Sequence, residues 1–182
     1  MTTTKALVNK YLGDKDFWAR ALKLAFPISF QNLLSSIYSL VDTLMVSNLG
    51  DVALSSVGMA TQWSWLMQLA LFGLTSGASV FFAQYWGVRD KRKINNIYGI
   101  TLIHTLAVSF IFGVVALCAP EFVIRLFNDN PEVIRSGATY LFWLSFVFPA
   151  YALTYTFSAV LRSTEHVRLP MYVSLITTIE NI

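Results

Sequence analysis

The 182-residue chain is 55% hydrophobic, 15% aromatic and only 13% charged, with a mean hydropathy of +0.58. A globule of this size cannot hide so much apolar surface, which excludes a water-soluble enzyme, and few Pro and Gly with low charge exclude a disordered or collagenous chain. The formal net charge is +3, and its placement says more than its total.

The chain therefore reads as an all-α, polytopic membrane protein. Crossing the hydrocarbon core takes about 20 apolar residues as a helix. Residues 1–20 are largely polar and read as a cytoplasmic segment. No cleavable signal peptide is expected, because the apolar segment that follows is too long for a signal-peptide core. The first span is predicted roughly over 22–48, where Leu24 to Gly50 carries one charge, Asp42. The second is predicted over 57–86 and is uncharged. At 1.5 Å per residue it would be about 45 Å long, so it must tilt, kink or project. Gly73 and Gly77, beside Ser76, Ala78 and Ser79, offer a kink point and a close-packing face. Third and fourth spans are predicted over 94–118 and 137–161. The stretch 169–182 rises only about 21 Å and reads as part of a fifth span.

Basic residues set the orientation. Lys5, Lys10, Lys15, Arg20 and Lys23 precede or open the first span, and Arg89, Lys91, Arg92 and Lys93 lie between the second and third. Arg162 and Arg168 follow the fourth. Only Arg125 and Arg135 fall on the other side, beside Glu121, Asp129 and Glu132. The positive-inside rule places the N-terminus in the cytoplasm. Because these runs flank spans directly they read as topology signals, and no nucleic-acid partner is expected.

Polar residues within spans are the functional candidates. Asp42 is the one acid well inside a complete span, and an intramembrane carboxylate is a functional-site hypothesis by default. The alternative is a residue near the outer end that simply reaches water. Gln31, Ser35, Tyr38 and Asp42 fall within about 60° on the helix, a polar stripe that should face a protein interior or watery cavity. Thr61, Ser64, Gln68, Thr75 and Ser79 repeat the pattern in the second span, with Phe72 among them. Tyr140, Tyr151, Thr154, Tyr155 and Ser158 do so in the fourth, near Pro149. Small hydroxyl residues also serve helix packing, but three polar faces together suggest a shared cavity. His104 is a lone candidate for proton relay, against the plainer reading of a neutral, hydrogen-bonded side chain. Pro27 and Pro149 free backbone carbonyls and permit bends.

Nothing in the sequence supports enzyme chemistry. No paired carboxylates, His-rich metal motif, phosphate-binding glycine loop or Ser–His arrangement is present, so no metal and no cofactor is expected. The lone Cys118 cannot form an intrachain disulfide and reads as a buried, inert thiol.

Two segments carry a resemblance to a known family. The run "LAFPISFQNLLSSIYSLVDTLMVSNLG" resembles the first transmembrane helix of multidrug and toxic compound extrusion (MATE) transporters, and "GASVFFAQYWGVRDKRK" resembles the end of their second helix and the basic loop beyond. The resemblance covers nearly the whole chain after Asp16. It rests on Pro27, Gln31, Asp42 and Gly50, then Gln84, Gly87 and Asp90, in the right order and distance. Ser47 departs from it, standing where the family often has glycine.

The resemblance implies a twelve-helix transporter of two six-helix lobes that exchanges H⁺ or Na⁺ for cationic, amphipathic compounds. It implies cation or proton binding by Asp42, bending at Pro27, and a pocket-lining role for Asn181, with Glu180 either beside it or at a boundary. The chain is accordingly expected to be the N-terminal part of a lobe, needing a missing C-terminal half, in the cytoplasmic membrane of a bacterium. Gln31, Ser35, Tyr38, Thr61, Gln68, Tyr151, Thr154 and Tyr155 are the expected substrate cavity, with cation–π contacts from Tyr38, Tyr151 and Tyr155. Two alternatives are a lipid-linked oligosaccharide flippase of the same superfamily, disfavoured by the lack of cationic side chains in the spans, and a truncated, non-transporting membrane module.

Overall fold

The computed structural model describes residues 15–181, which form seven helices. The predicted N-terminal segment up to residue 14, and Ile182 at the end of the predicted fifth span, lie outside the described residues. The helices are α1 (Lys15–Ser47), α2 (Asp51–Gly87), α3 (Lys91–Cys118), α4 (Pro120–Arg125), α5 (Pro131–Ser145), α6 (Phe148–Ser163) and α7 (Arg168–Asn181). α1 starts seven residues ahead of the predicted span, and α2 runs unbroken for 37 residues, about 55 Å.

The breaks follow from backbone chemistry. Gly50 takes φ +99°, a conformation that costs other residues dearly, and so ends the turn between α1 and α2. Asp90 caps α3 by accepting the Lys93 backbone N–H at 3.1 Å, and Asn130 caps α5 by accepting that of Glu132 at 3.0 Å. Pro120 and Pro131 open α4 and α5 at the positions where a missing N–H costs nothing.

The fourth span predicted over 137–161 is two helices rather than one. α5 and α6 meet at a 56° bend across Phe146 and Val147. In a continuous helix the residue at 149 would donate its N–H to the Ser145 carbonyl; Pro149 has none, and its ring crowds that carbonyl. Ser145 instead sits opposite Gly113 of α3, where a methyl group would lie 3.6 Å from its carbonyl oxygen. The Val147 N–H turns back to the Leu144 carbonyl at 3.0 Å. α1, α2 and α3 are each long and apolar enough to cross a membrane, and the bent α5–α6 pair is a fourth candidate.

The chain divides into two compact units. One takes α1 up to Ser39 together with the chain from Glu165, and buries Pro27, Leu34, Val167, Pro170 and Thr178. The other is Leu40–Thr164. In it α2 is central, packing on α3, α5 and α6 around Ala60, Met67, Leu71, Ala116, Leu141, Phe148 and Ala152. A second cluster at the far end of α2 joins Phe82 and Ala78 to Ile94 of α3. α5 approaches closely at Gly137, where a Cβ would stand 3.3 Å from both Ile124 and the Ser56 carbonyl oxygen. Large apolar side chains cover the outside, among them Trp65, Leu69, Phe72, Ile103, Phe110 and Trp143. Small and hydroxyl residues stand among the large apolar ones inside, as at Ala60, Thr105 and Ala152, and let helices approach closely in hydrocarbon.

Candidate functional site

α1 carries the predicted stripe. Gln31 and Asp42 are half-buried, Ser35 and Tyr38 are exposed, and Pro27 is buried. Ser35 donates to the Gln31 carbonyl at 3.1 Å, one turn back along the helix. Gln31, Ser35 and Tyr38 belong to the first unit and Asp42 to the second. The side chain of Asn181 lies outside the described residues, and Glu180 is exposed.

In the second unit the polar face of α2 lies along the edge of its buried face. Thr75 is buried, Ser64, Gln68 and Ser79 are half-buried, and Thr61 is exposed. Their hydroxyls are satisfied within the helix: Thr61 donates to Val57 at 2.8 Å, Thr75 to Leu71 at 2.8 Å, and Ser79 to Thr75 at 2.7 Å. Each can therefore border apolar surroundings without an unpaired donor, while its lone pairs stay open to a ligand or a second donor.

α6 presents Tyr151 and Tyr155, one turn apart, as a stacked pair with ring centroids 5.9 Å apart. Both pack against the main apolar cluster, alongside Trp63 of α2 and Phe112 of α3. Thr154 points outward and donates to the Ala150 carbonyl at 3.0 Å. The structure thus joins Tyr151 and Tyr155 and sets Thr154 apart from them. Two hollows, of about 410 and 630 Å³, lie along α4 and α5; none of the eight expected substrate-cavity residues lines either, while Tyr140, of the polar face predicted on the fourth span, borders the larger.

Two polar features escaped the sequence reading. Trp63 donates its indole N–H to the Phe112 carbonyl at 3.3 Å, with the two rings 4.8 Å apart. On α3, Thr101, Thr105 and Ser109 are all buried, and Thr105 meets Thr156 of α6 at 2.8 Å. The signal for this seam was the four-residue spacing of the three hydroxyls, which puts them on one helix face. His104, one position away, is exposed, with Nδ1 2.7 Å from the Ile100 carbonyl oxygen. Cys118 is exposed rather than buried. It follows the buried Ala116 by two positions, about 200° around the helix, and so faces away from the core.

Comparison with known proteins places these helices in a wider group. The MatE family model matches residues 27–182. The chain is 24% identical over its whole length to "Probable multidrug resistance protein YoeA" of Bacillus subtilis, covering 39% of that protein. It is 25% identical over 162 residues to "Probable multidrug resistance protein NorM" of Thermotoga maritima, covering 88% of this chain and 35% of that one. It is 21% identical over 161 residues to "Protein DETOXIFICATION 1" of Arabidopsis thaliana, covering 88% and 33%. The chain thus spans between a third and two fifths of the length of these curated relatives.

Proposed function

The chain belongs to the MatE family, and from that premise we propose that it serves in a secondary active antiporter exporting cationic, amphipathic drugs or toxic metabolites. The observation that carries this reading is the match over residues 27–182, supported by relatives named as multidrug resistance proteins. Alternating access rocks one repeat against another about a central site, so the chain acts together with the further helices its relatives' length provides for. The location is a bacterial cytoplasmic membrane, with the N-terminus inside.

Asp42 is the residue assigned to the coupling ion. It binds H⁺ or Na⁺, the role an intramembrane carboxylate on an ion pathway takes. Uptake reshapes α1 near Pro27, where Pro27 itself supplies no N–H to the helix ladder, and displaces the exported cation. Gln31, Ser35 and Tyr38 of the first unit and Thr61 and Gln68 of the second are the polar residues assigned to substrate, and Asn181 is assigned to the coupling ion. Tyr151 and Tyr155 supply π faces for the cation, and their stacking on one helix face favours that role.

The test is gradient-driven efflux of a fluorescent cation by the full-length protein carrying Asp42→Asn. Efflux falling to the level of membranes without the protein is expected. Unchanged efflux removes Asp42 from the coupling step. Imposing H⁺ and Na⁺ gradients separately identifies the ion.

A further inference from the structure

The turn joining α2 to α3 gathers cations that the transport reading leaves without a task. It is tight: the Arg89 N–H donates to the Trp86 carbonyl at 3.0 Å and the Asp90 N–H to the Tyr85 carbonyl at 2.9 Å, with Arg89 in the left-handed region at φ 58°. Asp90 both caps α3 and holds Lys93, whose ammonium lies 3.7 Å from its carboxylate and 5.0 Å from the centroid of the Tyr85 ring. One cation of the turn is thereby engaged in building it. Arg89, Lys91 and Arg92 are exposed, and among the described residues no ion pair holds any of them.

Immediately inward lies an aromatic collar. Tyr85, Trp86 and Tyr98 are half-buried and pack against the Phe82–Ile94 cluster. Val160 of α6 packs on the same cluster, which brings the end of α6 to this edge of the bundle. Tyr and Trp in such a collar sit at headgroup depth in a bilayer, with their rings toward the acyl chains. Three uncommitted cations one turn above it then stand level with lipid phosphates.

We propose that the α2–α3 turn is a binding site for anionic phospholipid headgroups, in which Arg89, Lys91 and Arg92 take the phosphates and Tyr85, Trp86 and Tyr98 pack against the glycerol region. A soluble polyanion fits less well, because the cations directly flank apolar helices and any occupant must share the surface with the bilayer. Guanidinium groups also match the paired oxygens of a phosphate diester. The proposal goes beyond transport and does not depend on it.

The experiment titrates the detergent-solubilised protein with short-chain phosphatidylglycerol, and with phosphatidylcholine for comparison. Preference for phosphatidylglycerol is expected. The triple variant Arg89→Gln, Lys91→Gln, Arg92→Gln should weaken it on the order of a hundredfold, the usual strength of three cations at an anionic membrane surface. Lys15→Gln, Lys23→Gln, Arg168→Gln removes the same charge from other helices and should leave binding within about twofold, on the premise that scattered surface charges act weakly. The single variant Arg92→Gln, at an exposed position, should weaken binding about fivefold. Equal losses in the two triple variants, no headgroup preference, or tighter binding of a single-stranded oligonucleotide than of phosphatidylglycerol would each overturn the proposal.

Discussion

Thr105 of α3 and Thr156 of α6 share a hydroxyl–hydroxyl hydrogen bond of 2.8 Å, and both side chains are wholly buried. Each is also within reach of a carbonyl of its own helix, Thr105 of Leu102 at 3.0 Å and Thr156 of Ala152 at 2.8 Å. With one proton apiece, one of the two must donate across the interface, and that bond ties α3 to α6. In a bilayer no hydrophobic force separates helix–helix from helix–lipid contact, so such a bond fixes which faces meet. Thr156→Val keeps the shape, and Thr105 falls back on the Leu102 carbonyl, so no donor is stranded. The expected coupling energy from a double-mutant cycle with Thr105→Val is about 0.6 kcal/mol, with an upper bound of about 1.7 kcal/mol. Unfolding in mixed micelles measures it, and a coupling of zero would remove the bond from the interface.

Gly137 is the most tightly packed of the described glycines. A methyl group there meets the Ser56 carbonyl oxygen at 3.3 Å, and backbone cannot swing aside as a side chain can. Ser56 is anchored in turn, its hydroxyl donating to the Val133 carbonyl at 3.2 Å. Shifting that backbone by a few tenths of an ångström costs about 1–3 kcal/mol, which outweighs the roughly 1 kcal/mol that Ala gains over Gly in a helix, so Gly137→Ala should destabilise by up to about 2 kcal/mol. Gly73→Ala and Gly77→Ala have nothing within 4 Å and should not lower the melting temperature. Thermal melting of the three variants in one detergent separates these outcomes.

Pro149, in the first turn of α6, gives the bend between α5 and α6 an identifiable cause. Pro149→Ala supplies the N–H that the Ser145 carbonyl lacks, and the 56° angle should narrow toward a continuous helix. Spin labels placed at Thr139 and Leu153, both exposed, would report the change as a longer and more sharply defined separation. An unchanged distance would mean that packing of Ser145 against Gly113, rather than the missing donor, holds the bend.

Much of this arrangement was legible in the amino-acid sequence. Three charge-free or nearly charge-free runs place α1, α2 and α3 to within about seven residues, because burying a charge in hydrocarbon costs far more than any local preference. The breaks at Gly50, Pro120 and Pro131 and the short α4 between the last two came from the structure. Pro149 marked a place for a bend, while the size of the bend and the division into two helices came from the structure.

The faces of the helices were not legible, and the reason is physical. In water the buried side of a helix is the apolar side, but in a membrane both sides are apolar and the periodic signal fades. Composition alone could say that α2 spans. It could not say that Thr75 is buried while Thr61 is exposed, nor that Tyr151 and Tyr155 lie against the core beside Trp63. The same holds for Thr105, which finds its partner 51 residues away on another helix. The sequence by itself determined which segments are long and apolar enough to enter a membrane, through the solvation cost of charge. Which surfaces meet there was decided only by tertiary packing, through close approaches such as that at Gly137 and the few hydrogen bonds that cross between helices.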